Sequence, residues 1–344
     1  MTLTSRRAFL IASGASLASG ATAALTSPRG LAVAPFRGRQ FHNQQPDSPL
    51  HAALTGLWSA VAQQSGGRLV VDTFALNNHQ SVTDPEAIEL VRRGEIAFYT
   101  AGVVLDQVLP SAAAICLPFL FRHRDQAFAT VDGPLGRLWQ RQLATQGILA
   151  FAGAYFEHGF RHLSSKRVPI RSAADLLGLK FRVPPSQIVE DYFRTLGADT
   201  SITRVIDLRE ALVLGKVEAQ ENPLVVIQQF NLYSVQRHLT LSAHMWNGFQ
   251  LIGNPAFWQR LPADLQAIVL TQLPIFVGRQ RLQQGQLNLA LERRLHDEGM
   301  EVQGLLTPQS FLQHLDPFYR RWRQRIGSEA WEILEHQLGP IGTT

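Results

Sequence analysis

Cysteine is almost missing from this chain: one thiol, Cys116, in 344 residues excludes an internal disulfide framework and any zinc site built on several thiolates. Cys116 lies in the apolar run 112–121, and nothing there marks a positive field that would lower its pKa. A buried structural thiol is therefore expected rather than a nucleophile. Catalytic signatures are missing too. The chain has no H-E-x-x-H, no G-x-S-x-G, no G-x-G-x-x-G behind a strand and no phosphate-binding P-loop. Neither an enzyme nor a cofactor is expected. His158 and His162 stand on either side of Gly159, whose poor helix propensity argues against a helical metal pair, so no metal site is expected. Past residue 25 no apolar run approaches the roughly twenty residues of a membrane span, and no internal repeat or low-complexity linker interrupts the chain.

A hydrophobic content of 45% over this length supports a sizeable core, and a prior of about 150 residues per domain suggests two lobes. The formal charge of +5 raises the question of nucleic acid. Lys and Arg are scattered singly or in twos, however, and no groove-reading or base-stacking motif accompanies them, so no nucleic-acid partner is expected. The densest cluster, Arg320, Arg321, Arg323 and Arg325, alternates with Phe318, Tyr319 and Trp322. That pattern predicts an amphipathic helix whose basic stems lie around an aromatic face.

The start of the chain reads as an address. Ser5-Arg6-Arg7-Ala8-Phe9-Leu10 is a twin-arginine signature followed by an Ala- and Ser-rich stretch to about Leu25. Ala21-Thr22-Ala23 offers small residues where a signal peptidase inspects them, whereas Ala32-Val33-Ala34 would leave Pro35 beside the cut. A Tat signal over 1–23 with cleavage after Ala23 is expected, and with it a soluble protein in the periplasm.

Beyond the leader, Leu54, Leu57, Trp58 and Val61 recur at helical spacing up to the break at Gly66-Gly67. Residues 68–74 alternate as a strand, Asp84-Pro85 opens a second helix that Gly94 ends, and 96–99 form a short strand. This is the element order of a parallel sheet with crossover helices. The pattern returns near the middle. Ser172-Ala173-Ala174-Asp175 is a capping box for a short helix closed by Gly178. The strand 179–183 then stops at Pro184-Pro185, which cannot donate to a ladder. Helices follow over 190–196, around 208–214 and from Ala263 to about His296, with Pro274 inside the last as a kink. Two α/β lobes with a ligand cleft between them are the simplest architecture.

Specific motifs sharpen this. Gly159-Phe160-Arg161, the capped helix at 172, Gly178-Leu179-Lys180-Phe181-Arg182-Val183-Pro184 and Gln220-Glu221-Asn222-Pro223 follow one another in order. Together with Leu117-Pro118-Phe119 and Leu261-Pro262 they span most of the mature chain. In them the sequence resembles the solute-binding proteins of tripartite ATP-independent periplasmic (TRAP) transporters, of the dicarboxylate-receptor-like type. The resemblance implies a two-lobed periplasmic binding protein fold, type II-like, with a long helix spanning both lobes. Lobe I would hold 35–158 and about 248–285, lobe II 159–247 and about 286–344. It also implies capture of a small organic carboxylate, such as a dicarboxylate or a sugar or keto acid, and delivery to an integral-membrane TRAP permease.

In that family the arginine of the Arg-Val-Pro strand end forks onto the ligand carboxylate, a role that falls on Arg182. Chemistry agrees, since a guanidinium offers two parallel N–H donors to two carboxylate oxygens and the prolines behind it stiffen the backbone. The same matching makes Arg161 a second anion-facing residue, Asn222 a hydrogen-bonding partner of the carboxylate and Asn43 a cleft residue of the first strand. Trp246 and Tyr155 are candidates to cap an organic ligand. The far end of the pocket departs from the family pattern. Gly102 stands where some relatives carry a polar or acidic contact, which leaves room for bulk. Val205 replaces a frequent aromatic, Arg204 adds a charge that would favour a second acidic group if it pointed inward, and Glu218-Ala219 replaces Asp-Gly. A stand-alone periplasmic sensor and a periplasmic enzyme on the same scaffold are the alternatives.

Overall fold

The computed structural model describes residues 34–77, 83–305 and 308–342; the expected export signal and its cleavage site lie outside them. The chain opens with β1 (Phe36–Phe41), α1 (Pro49–Gln64), β2 (Leu69–Phe74), α2 (Asp84–Arg93) and β3 (Phe98–Ala101). Ser48 starts α1 by accepting from the His51 backbone, Pro49 follows it, and Leu54, Leu57, Trp58 and Val61 are buried as their spacing predicts. α2 begins with a capping box between Thr83 and Glu86 and ends at Gly94, whose φ of 77° suits a left-handed cap.

Two 3-10 turns, 103–107 and 110–116, lead to α3 (Arg124–Val131), α4 (Pro134–Thr145) and the 17-residue β4 (Leu149–Ser165). Next come β5 (Lys180–Val183), α5 (Gln187–Thr195), β6 (Asp199–Ile202), α6 (Val205–Val213), β7 (Ala219–Pro223) and α7 (Leu224–Gln229). The chain finishes with β8 (His238–Gly253), α8 (Pro255–Arg260), α9 (Ala263–Asp297), β9 (Glu301–Gly304), α10 (Pro308–Leu312), α11 (Asp316–Ile326) and α12 (Ser328–Leu338).

The strands form one nine-stranded mixed sheet in the order β2-β1-β3-β8-β4-β7-β5-β6, with β9 on β8. β1 pairs in parallel with β2 and β3, and β5 pairs in parallel with β6 and β7. These two parallel groups carry the two lobes. The long antiparallel pair β4 and β8 runs through both: β8 meets β3 at 250–253 and β9 at 238–241. The crossing is irregular, with register shifts between Glu157 and Gly159 and between Arg161 and Leu163. Gly159 has φ 114°, and a Cβ there would stand 2.6 Å from Asn288 Nδ2, so a glycine is required.

α9, with 35 residues and about 52 Å of length, packs on α1 and β4 and further along on α7 and β9, so it spans both lobes. Its Gln280 accepts from the Glu157 backbone N–H at 2.8 Å and donates to the Glu157 carbonyl at 2.7 Å, supplying the hydrogen bonds that the irregular strand lacks. The helix continues through Pro274 to Asp297. Cys116 is buried in the largest core, where desolvation pushes its thiol pKa far up. The basic cluster is the outer face of α11: Phe318 and Trp322 are buried, Arg325 stacks 5.0 Å from the Trp322 ring and Arg321 pairs with Asp191 at 3.0 Å. No helix of the described residues is long and apolar enough to cross a membrane.

Candidate functional site

A cavity of about 40 Å³ opens between the ends of the two parallel groups. Arg182 reaches it from the end of β5, where the prolines at 184 and 185 also line the wall. The side chain is 1% exposed. Its Nε and Nη2 donate to the Thr203 carbonyl at 2.9 and 2.7 Å, which occupies one edge of the guanidinium. Nη1 is buried without a hydrogen-bond partner, so the fork formed by Nη1 and the second Nη2 hydrogen is left for something else. No ion pair among the described residues involves Arg182. Burial lowers its pKa to about 9, with Arg161 pushing the same way and Glu221 opposing, so it stays cationic at neutral pH.

Arg161, in the middle of β4, lines the same cavity but its charge is already matched. Its Nε and Nη2 hold the two carboxylate oxygens of Glu221, and both side chains are at most 2% exposed. Burial alone would raise the Glu221 carboxyl; Arg161 and His244 outweigh it and hold the pKa below the usual range. The expected second anion-facing arginine is therefore the cationic half of a buried pair. Its remaining hydrogens organise the wall: Nη2 donates to Asn222 Oδ1 at 3.2 Å and Nη1 to Asn247 Oδ1 at 3.3 Å. An arginine can only donate, so both amides must turn their oxygens toward it. Asn222 is then left donating to Gln220 at 2.6 Å with one N–H to spare. Asn247 Nδ2 faces His158 Nδ1 at 3.3 Å, which places the ring proton of His158 on Nε2, an atom buried without a partner. Desolvation and the nearby Arg161 push the His158 pKa well down, so the ring is neutral.

The opposite wall belongs to the first parallel group. Asn43, after β1, donates to Asp84 Oδ2 at 2.7 Å and accepts from Gln44 at 2.7 Å. Asp84 Oδ1 accepts from Asn77 at 2.9 Å and from the Tyr99 hydroxyl at 2.8 Å. Arg182, Arg161, Asn222, Asn43, Gly102 and Val205 thus share one cavity.

The other expectations fall elsewhere. Arg204 is nearly half exposed and pairs with Asp207 at 2.6 Å, so it does not point inward. Tyr155 and Trp246 stack on each other at 5.8 Å deep in the aromatic core beside Trp139 and Phe128, away from the cavity, because large rings pack best against other rings. At Gly102 a Cβ would press on the Phe249 ring at 3.1 Å, so Phe249 stands where a side chain at 102 would go. Asp84, His158, Gln44 and Asn247 also line the cavity. None of these carried a readable signal, and Asp84 reads from the sequence simply as a first-turn acid of α2. No cluster among the described residues is arranged to hold a metal ion.

A two-lobed α/β protein whose cleft buries one unmatched guanidinium belongs to the class of small-anion receptors. The chain is a member of the bacterial extracellular solute-binding protein family 7, whose pattern matches residues 41–325. It is 30% identical over 278 residues to a solute-binding protein of Verminephrobacter eiseniae, covering 80% of this chain and 81% of that one. It is similar in structure to the sugar acid binding protein DctPAm of Advenella mimigardefordensis in complex with galactonate. There the TM-score is 0.83 at 26% identity, over 89% of this chain and 98% of that one. A TRAP periplasmic solute binding protein of Sulfurospirillum deleyianum with bound succinate has the same fold, with a TM-score of 0.81 at 23% identity over 89% and 99%.

Proposed function

We propose that this chain is an extracytoplasmic receptor that closes its two lobes on a small organic carboxylate and delivers it to a TRAP-type membrane permease, after export through its twin-arginine leader. One observation carries the reading: Arg182 lines the cavity, is buried and cationic, lacks an anionic partner among the described residues and has Nη1 without a hydrogen-bond partner. A buried charge left unmatched is costly, and a ligand carboxylate supplies the missing partner with matching two-pronged geometry. Asn222 adds its spare N–H. The lobes pivot where β4 and β8 pass between them, at the irregular step beside Gly159, and closure excludes water from the ion pair.

The test is a thermal-shift screen of the purified protein against mono- and dicarboxylates, sugar acids and keto acids, because a ligand that binds only the native state raises its stability. A carboxylate that raises the melting temperature of the natural chain, is recovered unchanged after denaturation and has no effect on Arg182→Ala supports the receptor. Failure of every acid in the panel removes it.

A further inference from the structure

The two ends of the cavity differ in charge, and from this we infer that the ligand is a monocarboxylate bearing hydroxyl groups, with Asp84 as the residue that selects it over a dicarboxylate. The inference rests on the carboxylate-receptor reading and adds the chemistry of the far end. Of the three arginines expected near the ligand, Arg161 is matched by Glu221 and Arg204 by Asp207 outside the cavity. Arg182 alone, among the described residues that line the cavity, offers an unmatched positive charge. Among the described residues of the cavity, a second ligand carboxylate would find no second unmatched cation.

It would instead meet Asp84. The three hydrogen bonds to Asp84 come from uncharged donors, two amides and a phenol, and Arg204, already paired with Asp207, acts on it only through space, so no cation is bonded to the carboxylate among the described residues. They use three of its roughly four acceptor sites, which leaves one for a ligand O–H or N–H. The N-terminus of α2 offers no relief for an anion, since its first turn already holds Asp84 and Glu86. Asp84 and Arg182 line the same cavity without forming an ion pair.

The wall also holds His158 Nε2, a buried donor without a partner. Donors in the wall need ligand acceptors, while Asp84 needs a ligand donor. A hydroxyl does both. An ammonium, with three donors and no acceptor, would serve Asp84 and leave His158 unpaired, so a hydroxy or sugar acid fits better than an amino acid.

Calorimetry at neutral pH with galactonate, erythronate, succinate and glutamine, on the natural chain and on Asp84→Asn and Asp84→Glu, tests this. At least one of the two hydroxy acids should bind ten times or more tighter than succinate and than glutamine. Asp84→Asn should shrink the preference over succinate about tenfold, and Asp84→Glu, which keeps the charge, should still reject succinate. Succinate or glutamine binding as tightly as the better hydroxy acid, or a hydroxy-acid preference that Asp84→Asn leaves unchanged, would overturn the inference while leaving the receptor intact. If no acid binds the natural chain, the receptor reading fails and this one with it.

Discussion

Two buried arginines about one side chain apart in role illustrate how partners decide what a residue does. Arg161 has Glu221 and is structural; among the described residues Arg182 has a backbone carbonyl and no anion, and is therefore available. Replacing Arg182 by Ala should cost about 2–5 kcal/mol of ligand affinity, because the ligand charge would be buried unpaired. Arg182→Lys should also weaken binding well beyond tenfold, since one ammonium cannot reproduce the fork. Calorimetry with the acid found by screening checks both, and a change below tenfold for Arg182→Ala would contradict the anchor. Glu221→Gln should act differently. It strands the Arg161 charge at 2% exposure and should destabilise the fold by about 3–5 kcal/mol, read from urea unfolding. The place of Arg182 in the cavity wall was legible in the sequence because it sits in a distinctive strand-end motif. Arg161 was legible as a site residue but its neutralisation was not, because Glu221 lies 60 positions away and meets it only across β4 and β7.

At the scale of elements, the same logic explains which boundaries were readable. α1, α2, α6 and α9 announce themselves by periodicity and by the capping and stopping residues around them. β4 and β8 do not: both are buried over long consecutive runs, so neither shows the alternation that marks a half-exposed strand. The short strand expected over 96–99 lies two residues later, at Phe98–Ala101, where pairing with β8 rather than local preference sets its ends. One contact between elements has a measurable consequence. Asp106, in the 3-10 turn 103–107, reaches the first turn of α5 and accepts from Ser186 Oγ at 2.7 Å and from Ile188 N at 3.3 Å. It caps a helix of the other parallel group from outside. Asp106→Ala should lower stability by about 1 kcal/mol, measured by thermal or urea unfolding, with Asp106→Asn losing less because an amide oxygen still accepts.

Over the whole molecule, the buried titratable groups set the response to acid. Desolvation lowers His42 and His162 to about 3 and also lowers His158 and His244, so these rings stay neutral in the fold and must take up protons on unfolding below pH 6.5 or so. Asp106, raised to about 6, and Glu157, raised to about 7, act in the opposite sense because the folded chain holds their protons longer. Four groups outweigh two. The unfolded chain binds more protons between about pH 4 and 6.5, so stability should rise with pH across that window and level off near 7. A melting temperature that is flat or falls from pH 4.5 to 6.5 would contradict this balance. By itself the sequence determined the two-lobed fold, most of the helices and the family, and it nominated Arg182 for the cavity, because those follow from short-range periodicity and from motifs of contiguous residues. Only the tertiary structure decided which arginine keeps its charge free, that Tyr155 and Trp246 belong to the core, that Phe249 fills the space beside Gly102, and that Asp84 lines the same cavity as Arg182. Each of these depends on which distant side chains share a buried volume, and no local pattern encodes that distance.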